Sequence, residues 1–128
     1  MSTLVKSSCV HSQSVELTGG ASANTIDASA FTAGLVVLNG EGGHDMLLGS
    51  AGHDALNGGD GDDNINSGGD DDTIVGGDGN DTLFGGSGAD AILGEDGNDR
   101  LFGQGGVSDT LAGGEGSDVL VGLAGEID

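Results

Sequence analysis

The sequence lacks most of the residues that build and brace a small globular core. Its 128 residues include no proline, tryptophan or tyrosine, and only three phenylalanines and one cysteine. The lone Cys9 excludes an internal disulfide. No apolar run is long enough to span a bilayer, and the N-terminal segment lacks the continuous hydrophobic stretch of a cleavable signal peptide. We therefore predict one domain at most, without membrane insertion.

Basic residues are also nearly absent. Lys6 and Arg100 stand against 22 acidic side chains, which gives a formal charge of −20 at pH 7. Nucleic acids and anionic membrane surfaces bind through clustered lysine and arginine, so this balance argues against both as partners. Cations are the natural partners of such a chain. By composition alone, its 29 glycines and few aromatic residues would indicate disorder.

A nine-residue repeat argues against disorder. From Gly40 to Val121 the chain divides into consecutive units of nine residues, with one ten-residue unit at 103–112. The sixth position, or its equivalent in the longer unit, is always aspartate: Asp45, Asp54, Asp63, Asp72, Asp81, Asp90, Asp99, Asp109 and Asp118. Two residues later the side chain is always aliphatic: Leu47, Leu56, Ile65, Ile74, Leu83, Ile92, Leu101, Leu111 and Leu120. Biased composition does not produce such a phase, whereas stacked structural repeats do.

Each unit combines a turn with a short strand. A run such as GGDGND turns tightly because glycine reaches positive φ, and it leaves backbone carbonyl groups free for a ligand. The three residues that follow suffice for a short extended segment whose single aliphatic side chain points inward. We therefore predict an all-β solenoid with two nonapeptides per coil, 18 residues per circuit. Equivalent residues then stack at about the 4.8 Å spacing of adjacent strands.

Stacked aspartates predict a cation. Two carboxylates about 5 Å apart repel by about 3 kcal/mol at an effective dielectric constant of 20. Calcium accepts six to eight oxygen ligands in loose geometry, from carboxylates and backbone carbonyls. Magnesium fits less well because it demands a near-ideal octahedron, and zinc prefers the nitrogen and sulfur that one cysteine and three histidines alone offer. Calcium is therefore the predicted cofactor.

The pattern GGxGxDxUx, with U a large aliphatic residue, resembles the repeats-in-toxin (RTX) nonapeptide. The resemblance covers about two thirds of the chain, Gly40 to Val121. It implies a right-handed parallel β-roll that holds calcium between successive turns, in secreted bacterial proteins that leave the cell by a type I route. It also implies a module that folds on binding extracellular calcium and so supports the secretion and folding of a larger protein.

The candidate ligands fall on two edges. Alternate units place five aspartates on one edge (Asp45, Asp63, Asp81, Asp99 and Asp118) and four on the other (Asp54, Asp72, Asp90 and Asp109). With one ion between neighbouring coils, about seven interior sites result. The glycines proposed to contribute carbonyl ligands are Gly40, Gly43, Gly49, Gly52, Gly58, Gly59, Gly61, Gly76, Gly77, Gly79, Gly85, Gly86, Gly88, Gly94, Gly97, Gly113, Gly114 and Gly116. Irregular units 67–75 and 103–112 both lie on the four-aspartate edge, so the other edge is predicted to hold the more regular calcium row.

Outside the repeats the pattern decays. Residues 14–39 keep apolar strand residues but replace the aspartate, for example with Asn24, and are interpreted as metal-free coils that cap the N-terminal end. Residues 1–13 are interpreted as an N-terminal segment that can be disordered. Residues 122–128 begin an incomplete tenth repeat, which suggests that the chain is a piece of a longer protein and puts autonomous secretion in doubt.

Three further interpretations concern surface residues and function. His44 and His53 occupy the same position in adjacent units, hence opposite edges, and are interpreted as solvated turn residues. Phe84 and Phe102 should stack on one outer face; solvent exposure is favoured, and docking of a parent-protein domain or a second copy is the alternative. The rival function is an accessory extracellular binding or adhesion module that holds a polysaccharide or protein partner on the roll face. No convincing catalytic set is present, so an enzyme is not predicted.

Overall fold

A computed structural model describes residues 2–5, 14–32, 34–106 and 108–122, with residues 2–5 described by their backbone. Within these ranges every secondary-structure element is a β-strand. The first six are β1 (Ser2–Val5), β2 (Val15–Gly20), β3 (Asn24–Asp27), β4 (Val36–Gly42), β5 (Met46–Leu48) and β6 (Asp54–Asp60). The remaining seven are β7 (Asn64–Gly69), β8 (Thr73–Asp78), β9 (Thr82–Ser87), β10 (Ala91–Asp96), β11 (Arg100–Gln104), β12 (Thr110–Glu115) and β13 (Val119–Val121).

The strands form two parallel sheets that face each other. The first sheet has the order β1-β3-β5-β7-β9-β11-β13, and the second has the order β12-β10-β8-β6-β4-β2. Each coil contributes one strand to each sheet. Within the repeats the register advances by 18 residues, as in Leu56 opposite Ile74, and the ten-residue unit makes Ile92 pair with Leu111. The predicted parallel solenoid with two nonapeptides per coil is confirmed.

A single column of aliphatic side chains from each sheet fills the interior. The inward-pointing residue of each repeat is fully or almost fully buried, from Leu47 through Leu111, while Leu120 of the last coil is partly buried. The alternation along each strand follows from the two-residue period of a β-strand. The interior is therefore thin, because neighbouring turn positions are glycines and aspartates instead of further apolar residues.

Residues 14–39 continue both sheets toward the N-terminus. Val15 pairs with Val36, and Val36 in turn pairs with Asp54, so valine takes the aspartate position on one edge. On the other edge Asn24 occupies that position. The first of these coils is longer than a repeat coil, and its loop buries Phe31 against the core. Apolar or uncharged residues thus replace the acidic row at this end.

The described part of the N-terminal segment is a short strand. Ser2–Val5 forms β1, which pairs in parallel with β3. The physical reason is the exposed edge of β3, whose free backbone groups accept another strand. Residues 6–13 of that segment lie outside the described residues, as do residues 123–128 of the incomplete tenth repeat. The part of the chain that the structure describes has no helix capable of crossing a membrane.

Candidate metal centres

Aspartate side chains form two rows, one along each edge of the solenoid. The first row contains Asp45, Asp63, Asp81, Asp99 and Asp118, in the turns that lead into the first sheet. The second row contains Asp54, Asp72, Asp90 and Asp109, at the start of or just before the strands of the second sheet. All are at most 3% exposed except Asp118, which is half-buried in the last described coil. Both rows lie where the repeat phase places them.

One carboxylate oxygen of each aspartate joins its coil to the preceding one. In the first row the backbone N–H of an aspartate donates to Oδ1 of the next aspartate, at 2.7 Å from Asp45 to Asp63 and 2.9 Å from Asp99 to Asp118. The second row has the same bonds, at 2.7 Å from Asp54 and 3.0 Å in the two later pairs. Oδ1 of each aspartate therefore already accepts a hydrogen bond from the backbone of the preceding coil.

The other carboxylate oxygen is buried without a donor from the described residues. This holds for Oδ2 of seven aspartates: Asp45, Asp63, Asp72, Asp81, Asp90, Asp99 and Asp109. Asp54 differs, because its Oδ2 accepts a hydrogen bond from the backbone N–H of Ser50 at 2.6 Å and lies 2.9 Å from the Ser50 hydroxyl. Burying a charged oxygen without a partner is costly. The rows therefore contain repeated negative charge that the chain leaves uncompensated.

Burial shifts the proton affinity of these carboxyl groups. Loss of solvent raises the pKa of Asp63 to about 6 and the pKa of Asp72 and Asp81 to about 7. Burial likewise raises the pKa of Asp90 and Asp99 above the usual value. Neighbouring aspartates of the same row act in the same direction. Near neutral pH each row thus needs either protons or cations to offset its charge.

Glycine is required where the turns of adjacent coils approach closely. At Gly76 an added Cβ would collide with Oδ2 of Asp81 and with the carbonyl oxygen of Gly94 in the next coil. The first position has the same surroundings at Gly40, Gly58 and Gly94, whereas Gly113 of the last unit has only Asp118 side-chain atoms nearest to it. On the second edge, only Gly49 has both a carboxylate and a next-coil carbonyl among its nearest atoms. The packing around the first glycine is therefore more uniform on the first edge, and a more regular calcium row there stays a prediction.

Two further glycine columns stack in the turns. At the second and fourth positions most of the predicted glycines have positive φ, such as +113° at Gly77 and +134° at Gly79. Their Cα atoms face carbonyl oxygens of the preceding coil, from Gly59 and Gly61 respectively. Gly52 departs from this, since its φ is not in the left-handed region. Whether these carbonyl groups bind the metal stays a prediction.

The sequence interpretation missed a second, exposed ladder on the first edge. On this edge the side chain at the fifth position of the first four units accepts a hydrogen bond from the backbone N–H of its counterpart in the next coil. This chain of acceptors runs from His44 through Asp62, Asn80 and Asn98 to the N–H of Ser117, with distances of 2.8–2.9 Å. The signal was present, because polar acceptors occupy this position in His44, Asp62, Asn80 and Asn98. The histidines are thus exposed, as expected, but bonded to the next coil.

The third position of the same units adds an exposed acidic column that sequence reasoning also passed over. Asp60 pairs in register with Asp78, Asp78 with Asp96, and Asp96 with Glu115, all exposed. Their backbone carbonyl groups accept hydrogen bonds from glycines of the preceding coil, for example from Gly61 to Asp78 at 2.7 Å. The first edge therefore carries both a buried and an exposed row of carboxylates.

The donor set of both rows fits calcium. The ligand atoms that lie together are carboxylate and backbone oxygens, repeated at each coil. The Ser67 hydroxyl lies near the Asp72 carboxyl group but donates to the Gly85 carbonyl oxygen at 2.7 Å, which leaves Oδ2 of Asp72 without a donor from the described residues. A hard cation with flexible coordination matches such a set, whereas zinc would require nitrogen or sulfur. The residues present therefore agree with the cation that their chemistry predicts.

A parallel solenoid with a buried aspartate row on each edge defines a cation-binding repeat module. The family model of the RTX calcium-binding nonapeptide repeat matches residues 39–74, 75–108 and 104–126, which together span more than half of the chain. The chain belongs to this family, and it is a calcium-binding β-roll. The comparisons with curated proteins and with solved structures gave no match.

Proposed function

We propose that this chain is a non-enzymatic module whose folding depends on calcium, as part of a larger bacterial protein that acts outside the cell. RTX repeats are typical of secreted bacterial proteins. In the proposed sequence of events the chain stays unfolded at low cytosolic calcium, leaves by a type I route and folds on meeting external calcium. The observation that carries the proposal is the set of seven buried Oδ2 oxygens without a hydrogen-bond donor.

The calcium-free roll has little to hold it together. Each coil buries two aliphatic side chains of the repeat, while the whole chain carries a formal charge of −20. Ions between neighbouring aspartates would remove the repulsion and would bind the folded state alone. Free calcium at a thousandfold excess over the dissociation constant would add about 4 kcal/mol per site. Several such sites together would make the folded roll stable.

The proposed sites lie between aspartates that are neighbours in a row. Four intervals occur in the first row and three in the second, which gives the expected total of about seven. We infer that the first row binds more strongly, because the exposed acidic column from Asp60 to Glu115 lies on the same edge. The Asp54 interval is expected to be the weakest, since Ser50 already occupies the Asp54 Oδ2 oxygen.

Far-UV circular dichroism during a calcium titration tests the proposal, with magnesium as the matched control. Strand signal should appear cooperatively with a midpoint in the range of extracellular modules, about 10⁻⁴ to 10⁻³ M. Magnesium at the same concentrations should leave the chain unfolded, because it gives up its water reluctantly. An equally strand-rich and compact protein after exhaustive calcium removal would overturn the calcium-dependent folding that we propose.

A second candidate function, docking of a partner on the outer face of the first sheet, is favoured by one observation. The rings of Phe84 and Phe102 stack with centroids 4.9 Å apart and planes 11° from parallel, and Val121 continues the same column. The partner would be a second copy or a parent-protein domain. Sedimentation of the calcium-bound chain with and without the double change Phe84→Ser and Phe102→Ser tests association between copies. Unchanged mass would exclude a second copy on this face.

A further inference from the structure

The turn around His53 on the second edge carries a cluster outside the buried aspartate rows. His53 lies beside Asp70 and Asp71 of the next coil, and one ligand atom from each residue falls within 4.8 Å of the other two. All three side chains are exposed. Asp70 occupies the fourth position, where most units have glycine, and it adopts φ of +72° there. The cluster therefore arises where this chain departs from its own repeat.

The hydrogen bond of His53 fixes which ring nitrogen is available. Its Nδ1 lies 2.9 Å from the backbone carbonyl oxygen of Asp71. A carbonyl can only accept, so Nδ1 carries the proton and the neutral ring has its lone pair on Nε2. A backbone carbonyl on the far nitrogen is the usual support of a metal-binding histidine. Nε2 lies 3.6 Å from Oδ1 of Asp70, so the lone pair and this carboxylate lie close together.

The neighbouring coil also positions the third side chain. The backbone N–H of Ala89 donates to Oδ1 of Asp71 at 2.8 Å, which holds the Asp71 carboxylate beside His53. A surface pocket of about 330 Å³ opens next to the cluster and is lined by Gly34, Leu35, Gly52, His53 and Asp70. Such a pocket leaves room for the water molecules that complete a coordination shell.

His44 provides an internal contrast at the same position of the preceding unit. Its Nδ1 accepts a hydrogen bond from the backbone N–H of Asp62 at 2.8 Å, so the neutral ring carries its proton on Nε2. The residue of the next coil that corresponds to Asp70 is Gly61, which has no side chain to offer. His44 therefore lacks both the free lone pair and the second carboxylate.

We propose that His53 Nε2 and the carboxylates of Asp70 and Asp71 bind a divalent transition ion of the zinc class. One imidazole with two carboxylates is a borderline donor set that suits zinc, whereas the all-oxygen aspartate rows suit calcium. The site lies on the outer surface, and it uses none of the row aspartates Asp54, Asp72 or Asp90. It would give the calcium-loaded roll a second metal specificity at one defined turn.

Zinc titration by calorimetry at saturating calcium tests this site. Cys9→Ser and His11→Ala are introduced into every protein compared, because both residues carry zinc-binding atoms. His53→Ala and Asp70→Gly should each weaken zinc binding at least about tenfold. His44→Ala is the matched control and should leave it unchanged. Circular dichroism in calcium must show the same fold for all variants.

A spectroscopic readout separates ligation from a general charge effect. Cu²⁺ used in place of zinc should show hyperfine coupling to one imidazole nitrogen in electron paramagnetic resonance spectra. The coupling should disappear in His53→Ala and persist in His44→Ala. Equal losses in both variants, or zinc binding that is unaffected by His53→Ala and Asp70→Gly, would overturn the proposal. Failure here leaves calcium-dependent folding intact, because that is measured without zinc.

Discussion

The backbone N–H of Asp63 donates to Oδ1 of Asp81 across 2.7 Å, one coil further along the chain. One residue earlier the direction reverses, since the N–H of Asn80 donates to Oδ1 of Asp62 across 2.8 Å. The dipeptides Asp62-Asp63 and Asn80-Asp81 are therefore joined by one buried and one exposed hydrogen bond, which run in opposite directions. Oδ2 of Asp81 is left over and buried, which makes the cation requirement a consequence of the way the coils are joined.

We predict that acid partly replaces calcium. The usual aspartate pKa of 3.8 rises to about 7 for Asp72 and Asp81 and to about 6 for Asp63. Well below pH 3.8 these groups are protonated in both the folded and the unfolded chain, whereas between about pH 4 and 7 the folded chain holds more protons. Stability of the calcium-free roll must therefore fall as pH rises through this window. Circular dichroism of the calcium-free chain from pH 4 to 8 measures it.

A salt control distinguishes burial from the general repulsion of a chain with charge −20. Added sodium chloride at pH 7.5 screens exposed charges much more than buried ones. It should therefore fail to restore the strand signal that acid restores. Full recovery in salt would show that surface repulsion, and not the buried carboxyl groups, opposes folding without calcium.

Asp81→Asn should have opposite effects with and without calcium. Without calcium it removes a buried charge and keeps an oxygen to accept the Asp63 N–H, so folding should become easier by roughly 1–3 kcal/mol. With calcium it removes a carboxylate ligand, so the midpoint of the calcium titration should rise. Asp54→Asn is the control, because it disrupts the bonds from Ser50 instead of relieving an unpaired oxygen. Titrations with trimethylamine oxide, without calcium, compare the variants; a lower stability of Asp81→Asn there would contradict the account.

The turn glycines should differ in their tolerance of a methyl group. Gly61 has φ of +121° and its added Cβ would collide with the carbonyl group of Gly43, so Gly61→Ala should cost roughly 2 kcal/mol or more. Gly42 has no positive φ, and a Cβ there would meet the nearest atom, Cα of Ala21, at an ordinary 3.6 Å. Gly42→Ala should be close to neutral. Guanidinium unfolding in saturating calcium measures both, and equal costs would argue against the predicted stacking of the turns.

The sequence predicted the features that repeat without exception. Strict spacing of aspartate and aliphatic residues determines the coil length, the two edges and the buried columns, because a change of phase would expose the core. The β1 strand could not be predicted, since its only structural signal is the free edge of β3. The hydrogen bond from His53 to the Asp71 carbonyl oxygen, which is opposite in direction to that of His44, could not be predicted either. It occurs together with the positive φ of Asp70 in the next coil.

The exposed ladder of fifth-position side chains should contribute measurably to the free energy of unfolding, and substitutions of Asn80 test this. Asn80→Ala removes the acceptor for the N–H of Asn98, 2.9 Å away, and should cost about 1 kcal/mol. Asn80→Asp keeps that acceptor, as Asp62 does at the equivalent position. In saturating calcium it should therefore lose less stability than Asn80→Ala. Without calcium Asn80→Asp should be the worse of the two, because it adds a charge beside Asp62 that no cation offsets. Chemical unfolding in calcium and osmolyte-induced folding without it give the two rankings. A lower stability of Asn80→Asp than of Asn80→Ala in saturating calcium would refute a ladder that acts through its acceptor oxygen.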